Sequence, residues 1–173
     1  MPHLQTPRLK LIPFGLELVQ AALQNRTQVA RLLGCTVPDE WPSIDLGDVL
    51  PDVLESRTHH PEHTQWSALI IHRADSVLIG HIGFYGPPDP EGSVKIGYGI
   101  IPSYRGKGHA TEALQAMIAW AFAQQGVGQI LADCEDWNVG SVRVLEKAGL
   151  QTTSHKHGLM FWQIIRDSGN TVS

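Results

Sequence analysis

Very little in this chain suits covalent staples, membrane spans or polyanion binding. Only two cysteines occur among its 173 residues, Cys35 and Cys134, and neither belongs to a Cys-x-x-Cys pair. That scarcity argues against a disulfide scaffold and makes a reduced, cytoplasmic chain the economical reading. Basic residues are also few: 13 Lys and Arg face 17 Asp and Glu, a net charge of −4. Nucleic acids and anionic membranes call for a basic excess, so both are expected to be absent as partners. No apolar run approaches the ~20 residues of a spanning helix. The start, Met1-Pro2-His3-Leu4-Gln5-Thr6, lacks the charged-then-apolar order of a secretory signal. What remains, 42% hydrophobic and 17% charged, describes a globular protein. The length suggests one domain over 1–173, able to bury roughly 70% of its unfolded surface. The tail after Arg166 is small and polar and is expected to fray.

Periodicity divides the chain further. Arg8 to Pro13 alternates as a short strand closed by proline. Residues 16–33 carry helical spacing, broken near Asn25 and ended by Gly34. Leu46, Val49, Leu50, Val53 and Leu54 predict a third helix, kinked at Pro51. Residues 66–72 and 77–85 read as a hairpin, and residues 94–101 as a strand loaded with Gly97 and Gly99. Glycine inside a strand signals a bulge or the close approach of a backbone or ligand. Ala110, Ala113, Leu114, Met117, Ile118, Ala121 and Phe122 form one apolar helical stripe. A strand over 129–134, a helix over 138–148 and strands over 150–155 and 159–165 follow. The order implies an α/β or α+β domain, with helices covering a mixed central sheet.

Between the glycine-loaded strand and the long helix lies Arg105-Gly106-Lys107-Gly108-His109-Ala110. A helix start leaves backbone N–H groups unpaired and carries partial positive charge. Glycines remove side chains that would hold a diphosphate away, and Arg105, Lys107 and His109 add charge there. On residues alone the segment reads either as a phosphate seat or as simple turn chemistry. It is not a Walker loop, and it lacks the third glycine of a dinucleotide fingerprint.

Arg105-x-x-Gly108-x-Ala110 resembles the Arg/Gln-x-x-Gly-x-Gly/Ala signature of the GNAT (Gcn5-related N-acetyltransferase) superfamily. The run Gly97-Tyr98-Gly99-Ile100-Ile101-Pro102 through Gly108-His109-Ala110-Thr111-Glu112-Ala113 resembles its ribosomal-protein acetyltransferase branch. A second block, Asn138-x-x-Ser141-x-x-x-Leu145-Glu146-Lys147-x-Gly149-Leu150, is similar to that branch's C-terminal motif. Arg8-Leu9 and Gly80-His81-Ile82-Gly83 match its habits too, so the resemblance spans residues 6 to 165. It implies the GNAT fold, a mixed sheet of six to seven strands splayed between the fourth and fifth. It implies direct acetyl transfer from acetyl-CoA to a primary amine, and a tendency to homodimers. Backbone donors at Gly99, Ile100 and Ile101 would meet the pantetheine, and those from Gly106 to Ala110 the pyrophosphate. Arg105, Lys107, His109, Asn138, Ser141 and Lys147 complete the implied cofactor set.

The acid–base half departs from the family pattern. Lys95 stands where many relatives carry Glu, and Leu145 where some use Tyr. Asp133 is the implied base, with Glu135 and Glu91 as alternatives, although each also reads as a solvated acid. Ser141 could donate a proton or orient water, or simply bond within its helix start. Asn138 is a cofactor contact or a plain N-cap. Glu40, Trp41 and Tyr85 sit on loops expected to face a cationic acceptor, though Trp41 reads equally as packing. His59-His60-Pro61-Glu62-His63 matches no standard zinc spacing, so no metal is expected. Two functions stay open: an acetyl-CoA-dependent N-acetyltransferase, and an acyl-CoA-binding sensor with little or no transfer activity.

Overall fold

The computed structural model describes residues 3–167. The expected fraying after Arg166 falls almost entirely outside them. Eight strands form one sheet in the order β1-β2-β3-β4-β5-β6-β8-β7. They are β1 (Leu4–Gln5), β2 (Leu9–Pro13), β3 (Ser67–His72), β4 (Val77–Phe84), β5 (Ser93–Ile100), β6 (Gln129–Glu135), β7 (Gln151–Lys156) and β8 (Leu159–Ile165). The count exceeds the expected six to seven by β1, whose two residues are too few for any alternation to show. Every neighbouring pair is antiparallel except β5 and β6, which run parallel.

Five helices accompany the sheet. Asn25 ends α1 (Leu16–Gln24) and caps α2 (Arg26–Leu33), its side chain accepting from the Gln28 N–H at 3.0 Å. Gly34 closes α2 at φ 64°, where a Cβ would be strained. Ser43 caps α3 (Ile44–His59), which continues through Pro51 for two more turns. The expected strand start at Trp66 is corrected: Trp66 ends a short 3-10 turn, Pro61–Trp66. Its ring meets Trp120 edge-on at 5.0 Å and Phe84 at 5.8 Å, so packing rather than strand pairing sets its place.

The apolar stripe becomes α4 (His109–Phe122), with Ala113, Leu114, Met117 and Ala121 fully buried. It packs on β2, β4 and β5, and against α5 (Val139–Lys147). This pins the start of α4 beside the C-terminal end of β5. Among the described residues, no helix is long and apolar enough to cross a membrane.

Candidate active site at the opening between two strands

The parallel pairing of β5 with β6 lasts only three residues, Ser93↔Gln129, Val94↔Ile130 and Lys95↔Leu131. Beyond it the strands diverge, as expected for the fourth and fifth long strands. Ile96, Gly97 and Tyr98 then face Ala132, Asp133 and Cys134 across a cavity. Lys95 Nζ and Asp133 form an ion pair at the point of divergence. Which backbone groups enter the opening follows from antiparallel alternation with β4. Tyr85 N–H donates to Lys95 O at 3.0 Å and Ile101 N–H to Ile79 O at 2.8 Å, so odd-numbered residues of β5 turn toward β4. The donors facing the opening are therefore those of Tyr98 and Ile100. The expected trio of Gly99, Ile100 and Ile101 is corrected accordingly: only Ile100 is placed to donate there.

Gly97 and Gly99 have a different use. A Cβ on Gly99 would lie 2.8 Å from His81 Cε1, and one on Gly97 would lie 3.1 Å from the Tyr85 hydroxyl. The two glycines clear one sheet face for side chains from β4 and the loop after it.

At the other end of β5, the turn before α4 is held open by Gly106 (φ 72°) and Gly108 (φ 81°). Gly108 is the N-cap and carries no side-chain cap, and its carbonyl receives the Glu112 N–H. The N–H groups that precede Glu112 point outward from the helix start. They line a cavity of about 590 Å³ with Arg105, Arg143, Lys147, Asn138 and Ser141. Outward-pointing backbone donors with added positive charge suit an anion, and their chemistry fits a diphosphate. Arg105 Nε also donates to Ile100 O at 2.8 Å, tying the seat to the end of β5.

Of two further expected cations, His109 lines this cavity only from a buried position and Lys107 is not part of its lining. His109 is only 4% exposed, its Nδ1 3.2 Å from Tyr104 O and its ring edge-on to His72. Burial lowers its pKa, against a smaller opposing effect of the Tyr104 carbonyl. It is a neutral wedge, not a phosphate cation. Lys107 Nζ donates to Ser103 O at 3.0 Å and lies over the Tyr104 ring.

Arg8 supplies the bracing that charge-counting missed. Its guanidinium donates to Lys107 O at 2.7 Å and to Glu112 at 2.6 Å, and Thr6 Oγ1 donates to the same carboxylate at 2.6 Å. Burial works to raise the Glu112 pKa, but the hydrogen bonds from Thr6 and from the Arg8 backbone and guanidinium outweigh it and hold it low. A folded-state pKa below the unfolded one stabilises the fold above about pH 4.3 and is lost as pH falls through the lowered value. Glu112→Gln is expected to cost about 1–2 kcal/mol at pH 7. Urea unfolding should show the gap from the natural protein closing toward pH 3.

A second cavity, of about 660 Å³, opens on the other side of the divergence. Its charged lining comprises Asp45 and Asp52 from α3, Asp133 and Glu135 from β6, and one cation, Arg57. Arg57 is buried and donates to Phe14 O, Ser56 Oγ and Ser67 Oγ, so its charge is occupied within the fold. The two cavities share five residues: Asp45, His81, Tyr98, Asn138 and Ser141. Asn138 caps α5, accepting from the Ser141 N–H at 3.1 Å. Tyr98 reaches across to the Ser141 carbonyl at 3.5 Å, and burial pushes its pKa up to about 12.

Of the residues expected to face an acceptor, Tyr85 lines the second cavity and is 77% exposed. Trp41 is 1% exposed in the core, and Glu40 is bonded to the Ser103 N–H and hydroxyl; neither lines either of these two cavities. Asp45, Arg143 and the exposed Trp137 are lining residues that sequence reasoning passed over, and His81 is one to which it gave no role. Helical spacing placed Arg143 beside Lys147, and that was the available signal. His81 stands in the run Gly80-His81-Ile82-Gly83, which carried the family resemblance but gave the histidine no role. The His60, Glu62 and His63 ligand atoms do converge within 4.8 Å of one another, but on an exposed turn outside both cavities.

Comparison with known proteins agrees with this geometry. The profile of the acetyltransferase (GNAT) domain matches residues 8–151. The uncharacterized N-acetyltransferase YjdG of Bacillus subtilis is 32% identical over 164 residues, covering 91% of this chain and 96% of its own. The fold superposes on the ribosomal-protein-S5-alanine acetyltransferase of Vibrio fischeri with a TM-score of 0.67 at 16% identity, covering 97% of this chain and 98% of that one. It also matches the ribosomal L7/L12 acetyltransferase RimL, solved in complex with coenzyme A, with a TM-score of 0.64 at 16% identity. That match covers 92% of this chain and 95% of RimL. A diverging parallel pair, a glycine-built anion seat beside it and a profile match over most of the chain have one reading: the protein belongs to the GNAT family of N-acetyltransferases.

Proposed function

We propose that the chain transfers the acetyl group of acetyl-CoA to a cationic primary amine by direct attack, with both substrates bound together. The observation that carries this is the meeting of two cavities at the β5–β6 opening, with five residues common to both. The cavity with the anion seat suits the donor. Gly106 and the N–H groups at the start of α4 would hold the pyrophosphate, with Arg105, Arg143 and Lys147 adding charge. The Tyr98 and Ile100 N–H groups would meet the amides of the pantetheine arm, and Asn138 and Ser141 line its course. Acetyl-CoA supplies an activated thioester there; the chain supplies position and donors.

The other cavity suits the acceptor. Three carboxylates besides the Lys95-paired Asp133, namely Asp45, Asp52 and Glu135, against one internally bonded Arg57 favour an ammonium group arriving from water. Exposed Tyr85 adds an aromatic rim. Asp133 is engaged by Lys95, so we assign it to holding the seam rather than to taking the amine proton. Leu145 is buried and lines neither cavity, so its lack of a donor leaves the site intact and weakens the sensor alternative. Cys35 and Cys134 remain free thiols, which supports a reducing compartment such as the cytoplasm.

Calorimetry with CoA, followed by thiol release from acetyl-CoA over a panel of primary amines, tests the reading. Micromolar CoA binding with an acetylated amine supports it. Tight CoA binding with no turnover on any amine would turn the reading to the sensor.

A further inference from the structure

We infer that His81 is the proton relay of the transfer, taking the proton from the attacking amine and delivering it to the departing sulfur. The inference rests on the transferase reading above. His81 is the one imidazole lining both cavities, so a single ring can reach an amine in one and a thioester in the other. Its ring makes no hydrogen bond to another described residue, which leaves the ring nitrogens for the substrates. The ring occupies the space cleared by Gly99, whose Cβ would lie 2.8 Å from Cε1.

The groups around it favour a neutral resting ring. Burial drives its pKa down to about 4, with Asp45 on α3 opposing that shift. On β5 its register partner is the uncharged Gly99, on β6 Asp133 is taken by Lys95, and Tyr98 and Arg105 also line the donor cavity. An unprotonated ring is ready to accept at any pH above about 5. The imidazolium it forms is a far stronger acid than a thiol of pKa about 8.5, so handing the proton to sulfur is downhill. Tyr98, held near pKa 12, is a weaker acid than the thiol, so delivery of its own proton to the departing sulfur is unfavourable and it is left as a hydrogen-bonding group.

The step balances. The ammonium first loses one proton to solvent. The nitrogen–acyl bond then forms while an N–H proton passes to His81, the carbon–sulfur bond breaks, and the proton passes from His81 to sulfur. The products are an N-acetyl amine and a thiol, and His81 returns neutral.

Four measurements test the relay. Ring nitrogen shifts of the natural protein, with CoA bound, should show His81 neutral between pH 6 and 8; a charged ring at pH 7 would overturn the proposal. His81→Ala and His81→Gln should lower kcat by about 100-fold or more, with CoA affinity unchanged within about twofold. Added imidazole should restore part of the His81→Ala rate. Gly99→Ala, which crowds the ring, should slow the natural enzyme about tenfold but have little effect in the His81→Ala background. Turnover that survives His81→Ala sinks the relay alone. Absence of turnover by the natural protein on every amine sinks the transferase reading and the relay together.

Discussion

Gly108→Val should weaken CoA binding by about 100-fold, close to 2.7 kcal/mol, while leaving a folded protein. Two independent effects converge at this residue. Its backbone sits at φ 81°, where an L side chain costs about 1–2 kcal/mol and a β-branched one more. A Cβ there would also stand 3.2 Å from Arg8 Nη2, and the branches of valine would come closer still. Arg8 is what holds Lys107 O and Glu112, so moving it turns the N–H groups of the seat away from one another. Gly106→Ala separates the two effects. Gly106 has φ 72° but open space at its Cβ, so it should show backbone strain alone and a loss of tenfold or less. Calorimetry with CoA on both variants, with melting curves beside it, reads the difference. Natural-strength binding by Gly108→Val would remove the seat from the donor site.

The second large effect is one of stability. Trp41→Ala should cost about 3–5 kcal/mol, because the ring is fully buried and the cavity it leaves cannot fill. Its indole N–H has no partner among the described residues, so Trp41→Phe should recover much of the loss. The amine Michaelis constant should stay unchanged in Trp41→Phe, since the side chain reaches neither cavity. Tyr85→Ala should do the reverse: stability within about 0.5 kcal/mol, with a raised amine Michaelis constant. Urea unfolding and steady-state kinetics on the three variants distinguish a core role from a substrate role. An amine defect in Trp41→Phe at full stability would restore the original expectation for that residue.

These contrasts show what local pattern conveys and what it cannot. The α4 stripe was legible because its spacing repeats over several turns, and Gly106 and Gly108 because a positive φ selects glycine. The brevity of β1 hid it. Parity along β5 was a different matter: which N–H groups enter the opening depends on how β4 pairs, a fact that no window of β5 contains. Direction was equally hidden for charge. His109 and Lys107 have the composition of a phosphate site, yet tertiary partners turn one inward and the other aside. His81 gained no role from the sequence because its place is set by Gly99 on another strand and by Asp45 of α3 and Ser141 of α5, which line the same cavities.

The three-residue seam between β5 and β6 makes this a sheet with part of a strand missing. Whatever lies in the opening and pairs with the Tyr98 and Ile100 N–H groups completes the ladder, so binding there also adds to the stability of the fold. Occupancy at one hundred times the dissociation constant would add about 2.7 kcal/mol to the stability of the whole protein. The cell's supply of donor would then set how firmly the two halves of the sheet are joined.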